Sequence, residues 1–391
     1  MKQILFFLLL LTSAWSAAQN WSNLTDFSGL SRDDGCSFVI DDVAYCGTGR
    51  DVQFNMTHDF YAFDFNTEQW TEIASIPFGV RRQYAIAETY NSEGYVFGGF
   101  NDQGEFMKDL WRYNPIQNSW YYLGQAPFEG RSGMQSFVID DELFIVGGRT
   151  ESSVAVNEVW AYNFSTGTWS AKNNMPNEGI WRGFDAVYNG EGIVGMGSDS
   201  TNTKRGEVYF YNPTTDLWTE MPLLETDPMN YPAASQIDDR VYVYGGEDTT
   251  STLRNDFRYL DLTGMTWNTL NSFPQSARRG CMAFTSTTDF FITTGLTATE
   301  RLDETWVARN VVGLGEAIKN EALQFYVNDG ILMVSEELEE FKLVNNMGQS
   351  IPLEFIQPGQ FGLPGGIPAG LYIGYGHTDK QLASGKIIIG N

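Results

Sequence analysis

Histidine is nearly absent: His58 and His377 are the only two in 391 residues. A zinc or copper centre built on imidazoles has almost no material, so neither a metal site nor a cofactor is expected. Cysteine is scarce as well. Cys36, Cys46 and Cys281 are too few for a disulfide scaffold, and their odd count leaves at least one thiol unpaired within the chain. For Cys36 and Cys46, ten residues apart, a bridge between paired strands and two buried free thiols both fit. Basic residues are outnumbered, 24 against 49 acidic, for a net charge of −25. That surface repels a phosphate backbone, so nucleic acid is not an expected partner. No run reaches the roughly 18 apolar residues of a membrane helix, and no transmembrane segment is expected.

The chain opens MKQILFFLLLLTSAWSAAQN, with a basic start, an apolar run from Ile4 to Leu11, and small residues before Gln19. This reads as a secretory signal peptide over residues 1–18, and the mature chain is expected to be exported. Aromatics make up 15% of the residues and glycines number 40, while long amphipathic patterns are scarce. An all-β protein with many tight turns is expected.

Trp recurs at 21, 70, 120, 169, 218 and 267, at intervals of 49, 50, 49, 49 and 49 residues. A period this regular decides the architecture ahead of any local signal. A glycine element closes an apolar strand in each unit: YCGTG, VFGG, IVGG, IVGMG, VYGG and ITTG. An aromatic element follows, as in DLWRYNPIQNSW and EVWAYNFSTGTW, always twelve residues from its acid to its Trp. Each unit therefore reads as four short strands, with period-two alternation inside stretches such as DLWRY. SFVIDDVAY, SFVIDDELF and SQIDDRVY place Asp41-Asp42, Asp140-Asp141 and Asp238-Asp239 between the first two strands of a unit. The fourth unit has Asn189-Gly190 there, a strong hairpin signal, so these carboxylates are expected at turn tips rather than in an acid pair.

The glycine doublet, aromatic strand and late Trp resemble the kelch repeat over roughly residues 21–309. The resemblance implies a β-propeller with one four-stranded blade per repeat. Units one, four and six lack a clean Gly-Gly. The sixth unit lacks its Trp strand, and Trp21–Phe27 is left over at the other end. Six blades are expected over residues 19–310, the last closed by this N-terminal outer strand, which removes exposed edges.

The period ends after Val311. FKLVNNMGQSI, GIPAGLYIGY and GKIII in residues 311–391 resemble the type A C-terminal sorting domain of the Bacteroidetes type IX secretion system. A small β-sandwich is expected there. The resemblance implies type IX machinery as a partner and a secreted or outer-membrane-surface location.

Eleven residues after four of the Trp stand Arg32, Arg81, Arg131 and Arg278; Arg182 and Tyr231 stand at thirteen, Arg182 beside Trp181. These loops lead towards the central channel, and loops carrying His58, Arg149, Lys204 and Glu247 emerge on the same face. Arginines around a funnel suit a carboxylate, a sulfate or an acidic sugar through bidentate contacts, and equally suit an architectural tie between loops. Trp181 and Tyr231 lie where the pattern breaks, which a single ligand in a near-symmetric ring requires. Kelch-type copper oxidases need two His, and the propeller span carries only His58, so that chemistry is excluded. A six-bladed relative, N-acetylneuraminate epimerase, is a sugar mutarotase, and none of its catalytic residues can be placed on these positions. The expected function is recognition of a glycan or an extracellular protein on this face, the alternative being a sugar epimerase or lyase.

Overall fold

The computed structural model describes residues 21–221 and 226–312, together with the strand-bearing segments between 325 and 389. Two compact units emerge, Met1–Gly315 and Glu316–Asn391. The expected signal peptide lies outside the described residues.

The first unit is a six-bladed propeller of four-stranded antiparallel sheets. Blade one holds Cys36–Ile40, Val43–Gly47, Phe60–Asp64 and Gln69–Ile73, from the axis outward. Blade six is completed by Trp21–Asn23, which pairs antiparallel with Thr305–Ala308 through Trp21↔Ala308. The expected closure by the N-terminal strand is therefore present. The repeated Trp reinforces it. Its indole donates to a carbonyl just beyond the outer strand of the preceding blade: Trp120 to Ala74, Trp218 to Asn173, and Trp70 to Thr25 across the closure. Aromatic side chains fill the spaces between blades, as where Trp70 meets Phe63 at 4.9 Å and Phe27 at 5.0 Å.

The repeated Asp-Asp pairs are hairpin tips. Asp41, Asp140 and Asp238 take φ of 52°, 52° and 49°, and Asn189 takes 52°. Asx residues tolerate this left-handed backbone at little cost.

The irregular glycine elements have a backbone explanation. The second position, Gly49, Gly99, Gly148, Gly197, Gly246 and Gly295, has φ between 87° and 109° and is glycine in every blade. Its N–H donates to the next blade's loop, as from Gly99 to the Arg131 carbonyl at 2.8 Å. The first position has φ of 57–67°, where Thr48, Met196 and Thr294 replace glycine. Only the second conformation excludes a Cβ. All three cysteines are free, and burial raises the thiol pKa of Cys36 to about 11.

In the second unit two four-stranded sheets enclose Leu332, Phe341, Leu343, Phe361 and Tyr372. This is the β-sandwich expected there.

Candidate functional site: an arginine and aromatic plug at the propeller axis

The loop entering each inner strand carries three consecutive positions with separate roles. The first is Arg32, Arg82, Arg131, Ile180, Met229 and Arg278 in turn. Its four arginines are fully buried within the propeller wall. Each pairs with the acid of the aromatic element in its own blade, just before or within the third strand: Arg32 with Asp59, Arg82 with Asp109, Arg131 with Glu158 and Arg278 with Glu304, at 2.7–2.8 Å. Arg82 also donates to the Gly98 carbonyl, and Arg131 to that of Gly147. Arg32, Arg131 and Arg278 are thus ties between loops and do not face the funnel. In blade two this place belongs to Arg82, not Arg81, because a 3-10 turn at Phe78–Val80 accompanies one extra residue. Arg81 is instead part-exposed, 3.8 Å from Asp102. His58 also lies apart: its Nδ1 meets the Ile76 carbonyl at 3.0 Å, as Asn157 meets that of Met175 in blade three.

The third position is Asp34, Tyr84, Gly133, Arg182, Tyr231 and Gly280, all with φ of 57–64°. Their peptides form a ring about the axis. Tyr84 N–H donates to the Asp34 carbonyl, Gly133 to Tyr84, Arg182 to Gly133, Tyr231 to Arg182 and Asp34 to Gly280, at 2.7–2.9 Å. Tyr84 and Tyr231 belong to opposite blades, yet their rings lie 6.3 Å apart, so the side chains meet on the axis and plug it. The two glycines make room for this. A Cβ on Gly133 would sit 3.0 Å from Arg182 Cγ, and one on Gly280 would sit 2.5 Å from Asp34 Oδ1.

The plug centres on Arg182. Its guanidinium lies 3.7 Å from the Trp181 ring, 3.9 Å from Tyr231 and 4.0 Å from Tyr84. Arg279 stacks on Tyr231 at 4.0 Å, and Arg149 lies 5.7 Å from Trp181. Burial lowers the Arg182 pKa to about 10, which leaves the side chain charged at neutral pH. Asp34 accepts a hydrogen bond from Tyr84; burial and then the Asp33 charge push its pKa up to about 7, against the pull of Arg182 and Arg279. Glu247 is clamped by Lys204 at 2.7 Å and Arg279 at 3.4 Å, contacts that hold its pKa low against the upward push of burial.

Over this plug opens a cavity of about 740 Å³, lined among others by Arg149, Trp181, Arg182, Lys204, Asn230, Tyr231 and Glu247. Of the sequence candidates, Arg149, Trp181, Arg182, Lys204, Tyr231 and Glu247 come together here. Four polar atoms in this cluster are buried without a hydrogen-bond partner among the described residues: Trp181 Nε1, Arg182 Nε, Arg279 Nη1 and Asn230 Oδ1. Orphaned groups of this kind cost free energy, and three of the four are donors. Acceptor groups, water included, would satisfy those three. Sequence reasoning missed Asp34, Tyr84, Asn230 and Arg279. The signal lay in the residues flanking Arg182 and Tyr231 in register, where identity changes from blade to blade.

The axis also holds a second cavity of about 420 Å³, lined by the inner strands. Ser136 there donates its hydroxyl to Glu88 at 2.7 Å and its N–H to Asp185 at 3.1 Å. Burial raises both carboxyl pKa values well above the ordinary range, and for Glu88 the neighbouring Asp185 adds to the shift. The pair retains a proton at neutral pH. Folded pKa values above the unfolded ones give stabilisation that is present in acid and lost as pH rises through neutrality. Asp185→Asn is therefore expected to raise the melting temperature on the alkaline side and flatten its pH profile across neutrality. An unchanged profile in a calorimetric series would contradict the shared proton.

A family profile described as the KLHDC2/KLHL20/DRC7 Kelch-repeats domain matches residues 35–231. N-acetylneuraminate epimerase of Pasteurella multocida is 32% identical over 127 residues, 31% of this chain and 31% of that protein. N-(sulfonatooxy)prop-2-enimidothioate sulfolyase of Thlaspi arvense is 33% identical over 103 residues, 25% of this chain and 29% of that protein. The chain thus spans about a third of the length of the curated relatives it matches. A solved structure titled "Structure of YjhT" superposes with a TM-score of 0.61 at 18% identity, over 73% of this chain and 96% of that one. That likeness concerns the fold. With six blades of one period, and more than half of its residues under a single profile, the chain belongs to the Kelch-repeats domain family.

Proposed function

We propose that the propeller binds a small sugar acid in the funnel above Arg182. The carrying observation is the set of unpartnered buried donors, Trp181 Nε1, Arg182 Nε and Arg279 Nη1, beside the three aromatic rings that surround Arg182. A carboxylate supplies acceptors for the donors, and a sugar ring offers C–H faces to the aromatics and a hydroxyl to Asn230 Oδ1. Arg149, Arg182, Lys204 and Arg279 concentrate positive charge in a chain of net charge −25, so the funnel attracts anions that the remaining surface repels. The matching segments of relatives named N-acetylneuraminate epimerase agree with this ligand class.

Titration calorimetry of the full chain with N-acetylneuraminate is expected to give saturable binding that weakens with salt, while neutral N-acetylmannosamine binds far less. Equal binding of the two sugars would remove the carboxylate from the reading.

One observation favours a second reading, in which the bound sugar is also turned over. In that reading Asp34, whose pKa burial and the Asp33 charge push up to about 7 next to Arg182, would exchange a proton at an anomeric centre. Asp34→Asn would then slow anomer exchange seen by NMR while leaving affinity within a few fold. Export and surface placement through residues 311–391 is likewise our proposal. Deleting that segment is expected to leave the propeller in the periplasm of a type IX-competent host.

A further inference from the structure

The loops after the second strands share one construction. Asp51, Asn101, Asp199 and Asp248 each accept two backbone N–H bonds through Oδ1, as Asp51 does from Gln53 and Asn55. The third residue beyond each Asx has positive φ: Phe54 at 67°, Gly104 at 83°, Asn202 at 63° and Ser251 at 61°. Glycine and asparagine suit that backbone, whereas a bulky aromatic at positive φ is a genuine outlier. Phe54 does not offset the strain by burial, because it is 61% exposed. Strain retained at an exposed aromatic is the pattern of a functional position.

Two cations flank this ring, Arg50 at 4.9 Å and Arg301 at 4.8 Å. Arg301 is anchored by Asp33 at 2.6 Å, and Asp33 precedes Asp34 in the axial ring. Arg50 has no carboxylate partner among the described residues; its Nε donates to the Phe54 carbonyl. Arg301, Asp33 and Asp34 thus join Phe54 to the plug through contiguous contacts, and Phe54 stands on blade one, across the axis from the blade-four loop that carries Trp181.

We infer that Phe54 and Arg50 form an outer subsite for the second unit of an acidic oligosaccharide whose terminal unit occupies the funnel. The phenyl face stacks on the second ring and Arg50 takes its carboxylate. This inference rests on the sugar-acid reading of the funnel.

The test compares the full chain's affinity for N-acetylneuraminate with that for its 2→8-linked dimer. The dimer is expected to bind about tenfold tighter. Phe54→Ser is expected to abolish that preference while leaving monomer affinity unchanged. The variant is expected to fold, with a melting temperature equal to or above that of the parent, because Ser251 already holds the same turn in another blade. Arg50→Gln is expected to lower the dimer preference by itself. Monomer binding with no dimer preference, or a preference that survives Phe54→Ser, overturns the subsite alone. Binding of neither sugar overturns the funnel reading and the subsite with it.

Discussion

Arg82→Met is expected to lower the free energy of unfolding by about 3–5 kcal/mol and the melting temperature by on the order of 10 °C. The side chain is completely buried and donates to Asp109 at 2.7 and 2.9 Å, to the Gly98 carbonyl at 2.8 Å and to the Val80 carbonyl at 2.9 Å. Asp109 is itself 7% exposed, so truncating the arginine strands a carboxylate and two carbonyls away from water. Blades four and five place Ile180 and Met229 at this position, so the site accepts an apolar side chain when the acid finds another cation. Asp256 has done so, pairing with Arg254 at 2.9 Å. Adding Asp109→Asn to Arg82→Met is therefore expected to recover part of the loss. Arg81→Met, at the part-exposed neighbour, is expected to cost no more than about 1 kcal/mol. Denaturant titration of the three variants decides the matter; equal effects at 81 and 82 would refute the buried tie.

The second large effect concerns the ligand. Arg182→Met is expected to weaken sugar-acid binding by about 2–3 kcal/mol, or about 30–150-fold, the worth of a charge-assisted hydrogen bond. Methionine keeps contact with the Trp181, Tyr84 and Tyr231 rings, so the plug remains filled and the loss reports on charge. Arg182→Lys is expected to restore little, since an ammonium can neither stack between rings nor present a planar fork. The Asp34 pKa should rise further in Arg182→Met, because a cation that lowers it has gone. Calorimetry at two pH values reads both outcomes, and undiminished affinity would move the ligand out of the funnel.

The repeat was legible because an aromatic outer strand and a glycine close to the next blade are needed once per blade. A Trp every 49 or 50 residues therefore records a packing requirement and not a chemical one. The Asp-Asp pairs were legible for a similarly local reason, since a hairpin tip near φ 50° selects Asx residues whatever surrounds it. The site was only half legible. Counting from Trp drew attention to the place where arginine recurs, and recurrence turned out to mark the wall: Arg32, Arg131 and Arg278 are buried there. Arg182 shares their residue type but stands two positions further along its loop, on the axis.

Period, blade number and turn chemistry were determined by the sequence alone, because each is satisfied by residues near one another in a repeat. Closure by the N-terminal strand followed from the count of Trp strands, one left over at the start and one missing at the end. Which cations face a ligand was decided only in the tertiary structure. Ring closure brings Asp34, Tyr84, Arg182 and Tyr231, from four different blades, to a single axis, and Gly133 and Gly280 leave the space in which they meet. No local pattern encodes such a meeting, since it depends on the omission of side chains from blades three and six.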